Sequence, residues 1–308
     1  MKKIILIFTI LLTAALLSQG QTKKPKPLKV GYTLPANEVT SEKMKYVRSV
    51  GLESLELSLG YLIDHNTRKF KFSEAEILET LKKAKKAADD AGIEIWSIHM
   101  PFGKHIDISL TQESEREQVV AMHSKLIEYL RVLKPRVILF HPSWYLGLNE
   151  RETRKQQMIR SAVELNKKVR KSGAIMVVEN MLGFDLKLDS LRERPLCRTV
   201  DETVEIMGRL PTNIYSAVDM NHIKYPEKLI LAMGKRMRSV HIADGTGKQE
   251  NHWLPCSGKG QNNWNEILRA LDKVGYRGPF IYESKFKDEK ELKECYDTLY
   301  QNAFGAQG

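Results

Sequence analysis

Four short apolar runs in this chain each end on a side chain able to hold a metal ion or a proton. AIMVVE closes on Glu179, IYSAVD on Asp219, RSVHI carries His241 at its end, and GPFIYE closes on Glu283. A run of this length fits one buried strand. Two parallel strands joined by a crossover helix bring their C-terminal ends side by side. Applied to Ile214–Asp219 and Met237–His241, with a helix-length segment between them, that rule sets Asp219 beside His241. His222 follows Asp219 by three residues, and Asp244 follows His241 by three. Packing alone does not account for four such endings.

The same alternation runs through the rest of the chain. Strands are expected near Leu28–Leu34, Leu52–Ser58, Ile93–His99, Arg136–His141, Ala174–Glu179, Ile214–Asp219, Met237–His241 and Pro279–Glu283. Helices fit between them over Ser41–Val50, Ser73–Ala91, Gln112–Leu133, Glu150–Lys171, Val200–Gly208, Pro226–Met233, Trp264–Val274 and Glu289–Tyr300. Gly51, Gly92, Gly173 and Gly275 stand where helices end. Eight strand–helix units without an internal linker predict one α/β domain, a (β/α)8 TIM barrel over residues 28–308. An open doubly wound sheet would carry a Gly-rich phosphate loop after its first strand. VGYTLPANEVT has none.

Residues 1–20 read as a secretory signal peptide: Lys2 and Lys3, an apolar core from Ile4 to Leu17, then Ser18, Gln19 and Gly20. The apolar run is shorter than the roughly 20 residues a membrane span needs. Cleavage, with export to a bacterial periplasm or the medium, is the expectation, and no membrane association is expected afterwards. Residues 21–27 form a polar, Pro-broken leader. The net charge of +11 is spread over helix-like segments such as LKKAKKAADD and NKKVRKSG. Such runs read as solvated helix faces. No basic stripe interleaved with exposed aromatics marks a nucleic-acid surface, so no nucleic-acid partner is expected. Cys197, Cys256 and Cys295 lack any CxxC spacing. One pair plus an orphan, or three free thiols, both remain open.

In a barrel of this kind the active site is built at the C-terminal strand ends. Those ends read Glu56, His99, His141, Glu179, Asp219, His241 and Glu283, all ionisable. So many carboxylates and imidazoles at one mouth repel one another unless a cation sits among them. Mixed oxygen and nitrogen donors suit one divalent ion, Mn²⁺, Mg²⁺, Co²⁺ or Zn²⁺.

The motifs SIHMPFG (97–103), ILFHPSW (138–144), VVENM (177–181), AVDMNH (217–222), SVHIADG (239–245), HWLPCSGKG (252–260) and YESK (282–285) occur in order along the chain. In that arrangement the chain resembles the xylose-isomerase-like TIM-barrel superfamily, which holds sugar isomerases and epimerases as well as family-2 AP endonucleases. The resemblance implies that Glu179, Asp219, His241 and Glu283 bind one catalytic divalent metal. It also implies that Glu179 and Glu283 form the acid–base pair acting on the two faces of a sugar, through a metal-stabilised enediolate. His222 matches a family histidine that contacts substrate oxygens. His99, His141, Glu56, His252 and Trp144 are expected around the substrate, with Asp185 and Lys285 as weaker candidates. Of the other tryptophans, Trp264 reads as the buried first turn of a helix.

His99 and His141 also match strand-end histidines that bind additional zinc ions in the endonucleases. That branch requires an Asp-x-His pair after His241, followed by Gly-Glu-Gly. Here Asn251 directly precedes His252, and Ser257–Gly258–Lys259–Gly260 follows, so the third zinc site is expected to be incomplete. His252 followed closely by Pro255 fits the sugar branch better. The function expected is therefore an exported, metal-dependent sugar isomerase or epimerase with a small carbohydrate substrate. Alternatives are a zinc phosphodiesterase, a lyase using the same enediolate, or a non-catalytic carbohydrate-binding barrel. Homo-oligomerisation is left open.

Overall fold

Each of the eight apolar runs forms a strand, and the eight close on themselves in chain order. The computed structural model describes residues 24–183, 187 and 189–305. The strands are β1 (Val30–Pro35), β2 (Ser54–Ser58), β3 (Glu94–His99), β4 (Val137–Phe140), β5 (Ile175–Glu179), β6 (Ile214–Asp219), β7 (Met237–Ile242) and β8 (Phe280–Tyr282). All neighbours in the barrel are parallel, and β8 returns to β1. Eight helices alternate with them: α1 (Ser41–Ser49), α2 (Glu74–Asp90), α3 (Glu113–Leu130), α4 (Arg151–Lys171), α5 (Val200–Arg209), α6 (Pro226–Met233), α7 (Trp264–Lys273) and α8 (Glu289–Phe304). The chain is a single-domain (β/α)8 barrel. The expected signal peptide lies outside the described residues.

Helix ends follow local chemistry. Ser73 opens α2 with a capping box, its hydroxyl facing the amide of Glu76 while the Glu76 carboxylate accepts from the Ser73 amide. Thr40, Thr199, Asn263 and Asp288 cap α1, α5, α7 and α8 through their side chains. Gly51 and Gly173, just past α1 and α4, take φ of +87° and +88°, the left-handed conformation that ends a helix. The α3 helix stops at Leu130, three residues before the predicted end. Pro135 disfavours helical backbone in the residue before it, and Lys134 turns to φ +51° instead.

Two apolar clusters support the site from below. The larger joins the outward faces of the strands to the helices, as in the Ile77–Leu81–Ala84–Ala88 stripe of α2. The smaller fills the barrel with Val137, Leu139, Val177 and Ala217, flanked by Trp96, Ile175 and Tyr215. Strand side chains alternate, so the residues that plug the barrel and the residues that do chemistry share one face. Ile175–Val177–Glu179 and Tyr215–Ala217–Asp219 each run from plug to mouth. Hydrophobic packing at the base thereby aims the carboxylates at the top.

Register completes the placement. Asp219 pairs with His241 across β6 and β7, as the crossover rule predicts, and His241 pairs with Ile281 of β8. The register shifts opposite Leu55/Glu56, where Trp96 of β3 is skipped, and opposite Ser216/Ala217, where Arg238 of β7 is skipped. Such bulges re-aim side chains near barrel rims. Two short strands, Leu146–Gly147 and Arg192–Glu193, pair antiparallel and tie the loop after β4 to the loop after β5. Cys256 and Cys295 form a disulfide that fastens the loop after β7 to α8, and Cys197 is a buried thiol.

Candidate metal centre and active site

Glu179, Asp219, His241 and Glu283 converge at the mouth, each offering one donor atom, with all four donors within 4.8 Å of one another. Nδ1 of His241 lies 2.9 Å from Oε1 of Glu179 and 2.9 Å from Oε2 of Glu283. The ends of β5 and β6 are locked by Asn180, whose side-chain oxygen accepts from the Asp219 amide (2.8 Å) while its NH₂ donates to the Asp219 carbonyl (3.1 Å). Oε2 of Glu179 and Oδ2 of Asp219 are buried and accept no hydrogen bond among the described residues. Buried carboxylate oxygens are costly when unpaired. Glu179, Asp219, His241 and Glu283 form a mixed oxygen and nitrogen donor set of the kind that would hold a divalent ion. The residues fit a metal.

The electrostatics say the same. Burial alone would lower the pKa of His241, but Glu56, Glu179 and Glu283 together hold it well above its ordinary value. Burial alone would raise Glu179 and Glu283. The positive imidazoles, His241 foremost, instead pull Glu179 well down and Glu283 down to about 2. Burial pushes Asp219 up to about 7, with Glu179 and Glu283 adding repulsion. The carboxylates of the cluster together favour positive charge at its centre.

Glu56, expected against the substrate, is a correction. It is fully buried beneath His241, with Oε1 2.7 Å from the His241 Nε2. Ser97 Oγ donates to its other oxygen at 2.6 Å and Thr33 Oγ1 to Oε1 at 3.3 Å. It thus occupies the position of an orienting carboxylate, which fixes Nε2–H as donor and leaves the Nδ1 lone pair for the centre. Asp244 is also structural. Its carboxylate accepts from the Trp264 indole (2.7 Å), the Gly245 amide (2.8 Å) and the Asn262 amide (3.2 Å), and it lies outside the metal-capable groups. Trp264 is the buried first turn of α7.

Among the described residues three further groups can hold cations, and one of them, His99, His241 and Glu283, shares two residues with the first set. His99, His141 and Glu179 form the second. Nδ1 of His99 faces the Met100 carbonyl at 3.1 Å, so Nε2 is left to meet the His141 Nε2 at 3.1 Å. The same His141 nitrogen lies 3.2 Å from Glu179 Oε2. His222, Glu250 and His252 form the third. The two imidazoles turn Nδ1 to backbone carbonyls, His222 to Asn180 (3.0 Å) and His252 to Glu283 (2.6 Å). Their Nε2 atoms meet Oε2 of Glu250 at 3.1 and 2.9 Å. The sequence reading passes over Glu250, while Lys259 still stands where the endonuclease pattern has glutamate. Glu250 stands two residues before His252, where aspartate was sought, and its side chain joins His222 and His252. The signal was an acid-x-His spacing read too narrowly.

A chamber of about 250 Å³ opens beside this cluster, lined by Trp144, His141, His222, His252, Glu283 and Glu250 among others. Trp144 is half-buried, and its amide is fixed by the buried Asp107 carboxylate at 2.9 Å. Lys285 is exposed and does not line this chamber. Its part is a backbone N–H that donates to the His252 carbonyl at 2.7 Å. Asp185 lies outside the described residues. A wider depression of about 570 Å³, which includes Trp96 and Arg136, sits at the N-terminal end of the barrel, away from the ionisable cluster.

The comparisons with known proteins agree with this architecture. A family model described as "Xylose isomerase-like TIM barrel" matches residues 44–301. An uncharacterised protein of Methanocaldococcus jannaschii is 23% identical over 208 residues, covering 66% of this chain and 76% of its own. A solved D-tagatose 3-epimerase-like protein superposes with a TM-score of 0.71 at 20% identity, over 90% of this chain and 98% of that one. A D-psicose 3-epimerase solved in the presence of D-fructose gives 0.69 at 16% identity, over 91% and 100%. At such identities the likeness to the solved structures is one of fold. With the family model spanning most of the barrel, the chain belongs to the xylose isomerase-like TIM-barrel family.

Proposed function

We propose that this protein is a divalent-metal-dependent sugar isomerase or epimerase that moves a proton between a substrate carbon and the carboxylates Glu283 and Glu179. The observation that carries the reading is the convergence of Glu179, Asp219, His241 and Glu283 beside a chamber that Glu283 itself lines. These four residues would hold the ion. When bound, a divalent ion supplies Lewis-acid polarisation of a sugar carbonyl and its neighbouring hydroxyl. Glu283 removes the proton α to the carbonyl, and Glu179 returns one to the same carbon for epimerisation or to its neighbour for isomerisation. His222, His252 and Glu250, joined through Nε2 and Oε2, line the same chamber, where they can meet sugar hydroxyls. Apolar Met181 and Leu182 on its wall limit water.

Export is part of the proposal. A disulfide belongs to oxidising compartments, and the Cys256–Cys295 bridge supports the signal-peptide reading of residues 1–20. The substrate class is a small carbohydrate.

The test is deuterium incorporation next to the carbonyl of keto sugars in D₂O with Mn²⁺, Co²⁺, Mg²⁺ or Zn²⁺ supplied. Glu283→Gln keeps the shape and removes the base, so exchange should fall by about three orders of magnitude, within the range of general base catalysis. Exchange at near wild-type rate in Glu283→Gln would remove Glu283 from that role. One observation favours a second reading: the His99–His141–Glu179 and His222–Glu250–His252 groups are poised for two more ions. In that case the protein is a zinc phosphodiesterase. Cleavage of an abasic oligonucleotide without sugar exchange would replace the first reading with the second.

A further inference from the structure

Both register shifts in the barrel wall serve one place. Trp96, skipped in β3, and Arg238, skipped in β7, each line the depression of about 570 Å³ at the N-terminal end of the barrel. Bulges re-aim side chains, and here two of them bring their extra residue to a single cavity. Val137, Ile175 and Met237 give the depression an apolar wall, and Trp96 and Tyr215 give it an aromatic one. Four exposed cations stand around it, Arg136, Lys235, Arg238 and Arg277, and no carboxylate among the described residues lines it. The apolar plug of the barrel lies between this depression and the mouth.

The cations are not all accounted for by the fold. Helix C-termini attract positive charge, and Arg236 meets that need after α5. Its guanidinium donates to the carbonyls of Leu210 and Pro211 at 2.9 Å and of Ile214 at 3.1 Å. Nε of Arg136 lies 3.4 Å from Glu94, and the Arg277 guanidinium lies 3.8 Å from Asp272. Lys235 and Arg238 make no ion pair among the described residues. The Arg238 guanidinium instead lies over the Tyr215 ring, 5.1 Å from its centroid.

We infer that this depression binds a small flat anion, an aromatic ring system carrying a carboxylate, sulfonate or phosphate group. The volume falls inside the range of about 300–1,000 Å³ that encloses drug-sized ligands, and such pockets are walled mainly by apolar and aromatic side chains with a few placed polar groups. A planar guanidinium stacks on aromatic faces and pairs edge-on with carboxylate or phosphate, so Arg238 serves both halves of one ligand. A bare inorganic anion would leave the apolar wall in water. An uncharged ring would leave Lys235 and Arg238 unanswered. The site is separate from the metal centre, so the inference stands independently of the isomerase reading.

The experiment is calorimetric titration of the full-length protein with three probes: 2-naphthoate, the uncharged 2-naphthalenemethanol, and inorganic phosphate. Naphthoate should saturate one site per chain and bind at least tenfold more tightly than either of the others. The exposed Lys235→Glu, Arg238→Glu double variant should weaken naphthoate at least tenfold while keeping the wild-type circular dichroism. Lys82→Glu, a single charge reversal on the exposed face of α2, should leave the affinity unchanged. Equal binding of the alcohol would make the depression a plain apolar hollow, and equal binding of phosphate would make it a plain cation cluster. Either result overturns the assignment, as does naphthoate binding that is not saturable or that the double variant does not move.

Discussion

Nε2 of His241 lies 2.7 Å from Oε1 of Glu56, and both side chains are fully buried under the mouth of the barrel. The contact joins β7 to β2 across the barrel interior. It decides which imidazole nitrogen carries the proton and therefore which one faces Glu179, Asp219 and Glu283. Removing such a partner typically costs 10–100-fold in metal affinity or activity. Glu56→Gln should keep the fold by circular dichroism and lower Mn²⁺ affinity by about that factor in a metal titration. Unaltered affinity would show that the Glu56 charge does not set the His241 tautomer.

The overlap of the donor groups makes the metal count informative. Protein purified without chelator should carry close to one divalent ion per chain by elemental mass spectrometry if only Glu179, Asp219, His241 and Glu283 bind tightly. Glu250→Gln should then leave that count unchanged, because Glu250 is outside this set of four. Two or three zinc ions per chain, falling by one in Glu250→Gln, would assign an ion to His222, Glu250 and His252 and favour phosphodiester hydrolysis.

His123 on α3 gives the fold an acid sensitivity separate from the site. It is buried with its ring 5.4 Å from that of Phe140, and burial pushes its pKa down to about 4. The unfolded chain binds that proton near pH 6.5, so it is the unfolded state that gains as pH falls from about 6.5 toward 4. Between pH 7.5 and 5 this amounts to about 2 kcal/mol of lost stability. In urea titrations His123→Leu should lose about that much less than wild type over the same interval. Parallel pH profiles for the two proteins would refute the assignment.

The Cys256–Cys295 bridge closes a segment of 39 residues and anchors the loop that carries His252 to α8. Bridges of this kind stabilise by about 2–4 kcal/mol. The Cys256→Ser, Cys295→Ser double variant should therefore melt about 4–15 °C lower. With the loop less constrained, a keto-sugar KM should rise more than kcat falls. A melting temperature within a degree of wild type would mean that the loop is held by its other contacts. Among those, Gly260 lies so close to Asp244 that an added Cβ would stand 1.8 Å from the carboxyl carbon.

The barrel and most of its mouth are legible in local sequence pattern. Apolar runs of strand length, alternating with helix-length segments, leave few topologies once crossovers are right-handed. The period of two then places Glu179 and Asp219 on the same face as the residues that plug the barrel. Side-chain roles were decided by tertiary structure. Glu56 and His241 are far apart in the chain, and nothing local says that one lies beneath the other. Glu250 was passed over in the sequence, and only the folded loop brings it between His222 and His252. Local pattern fixes which face a residue occupies. What that face meets depends on contacts between distant segments, which form only when the barrel closes.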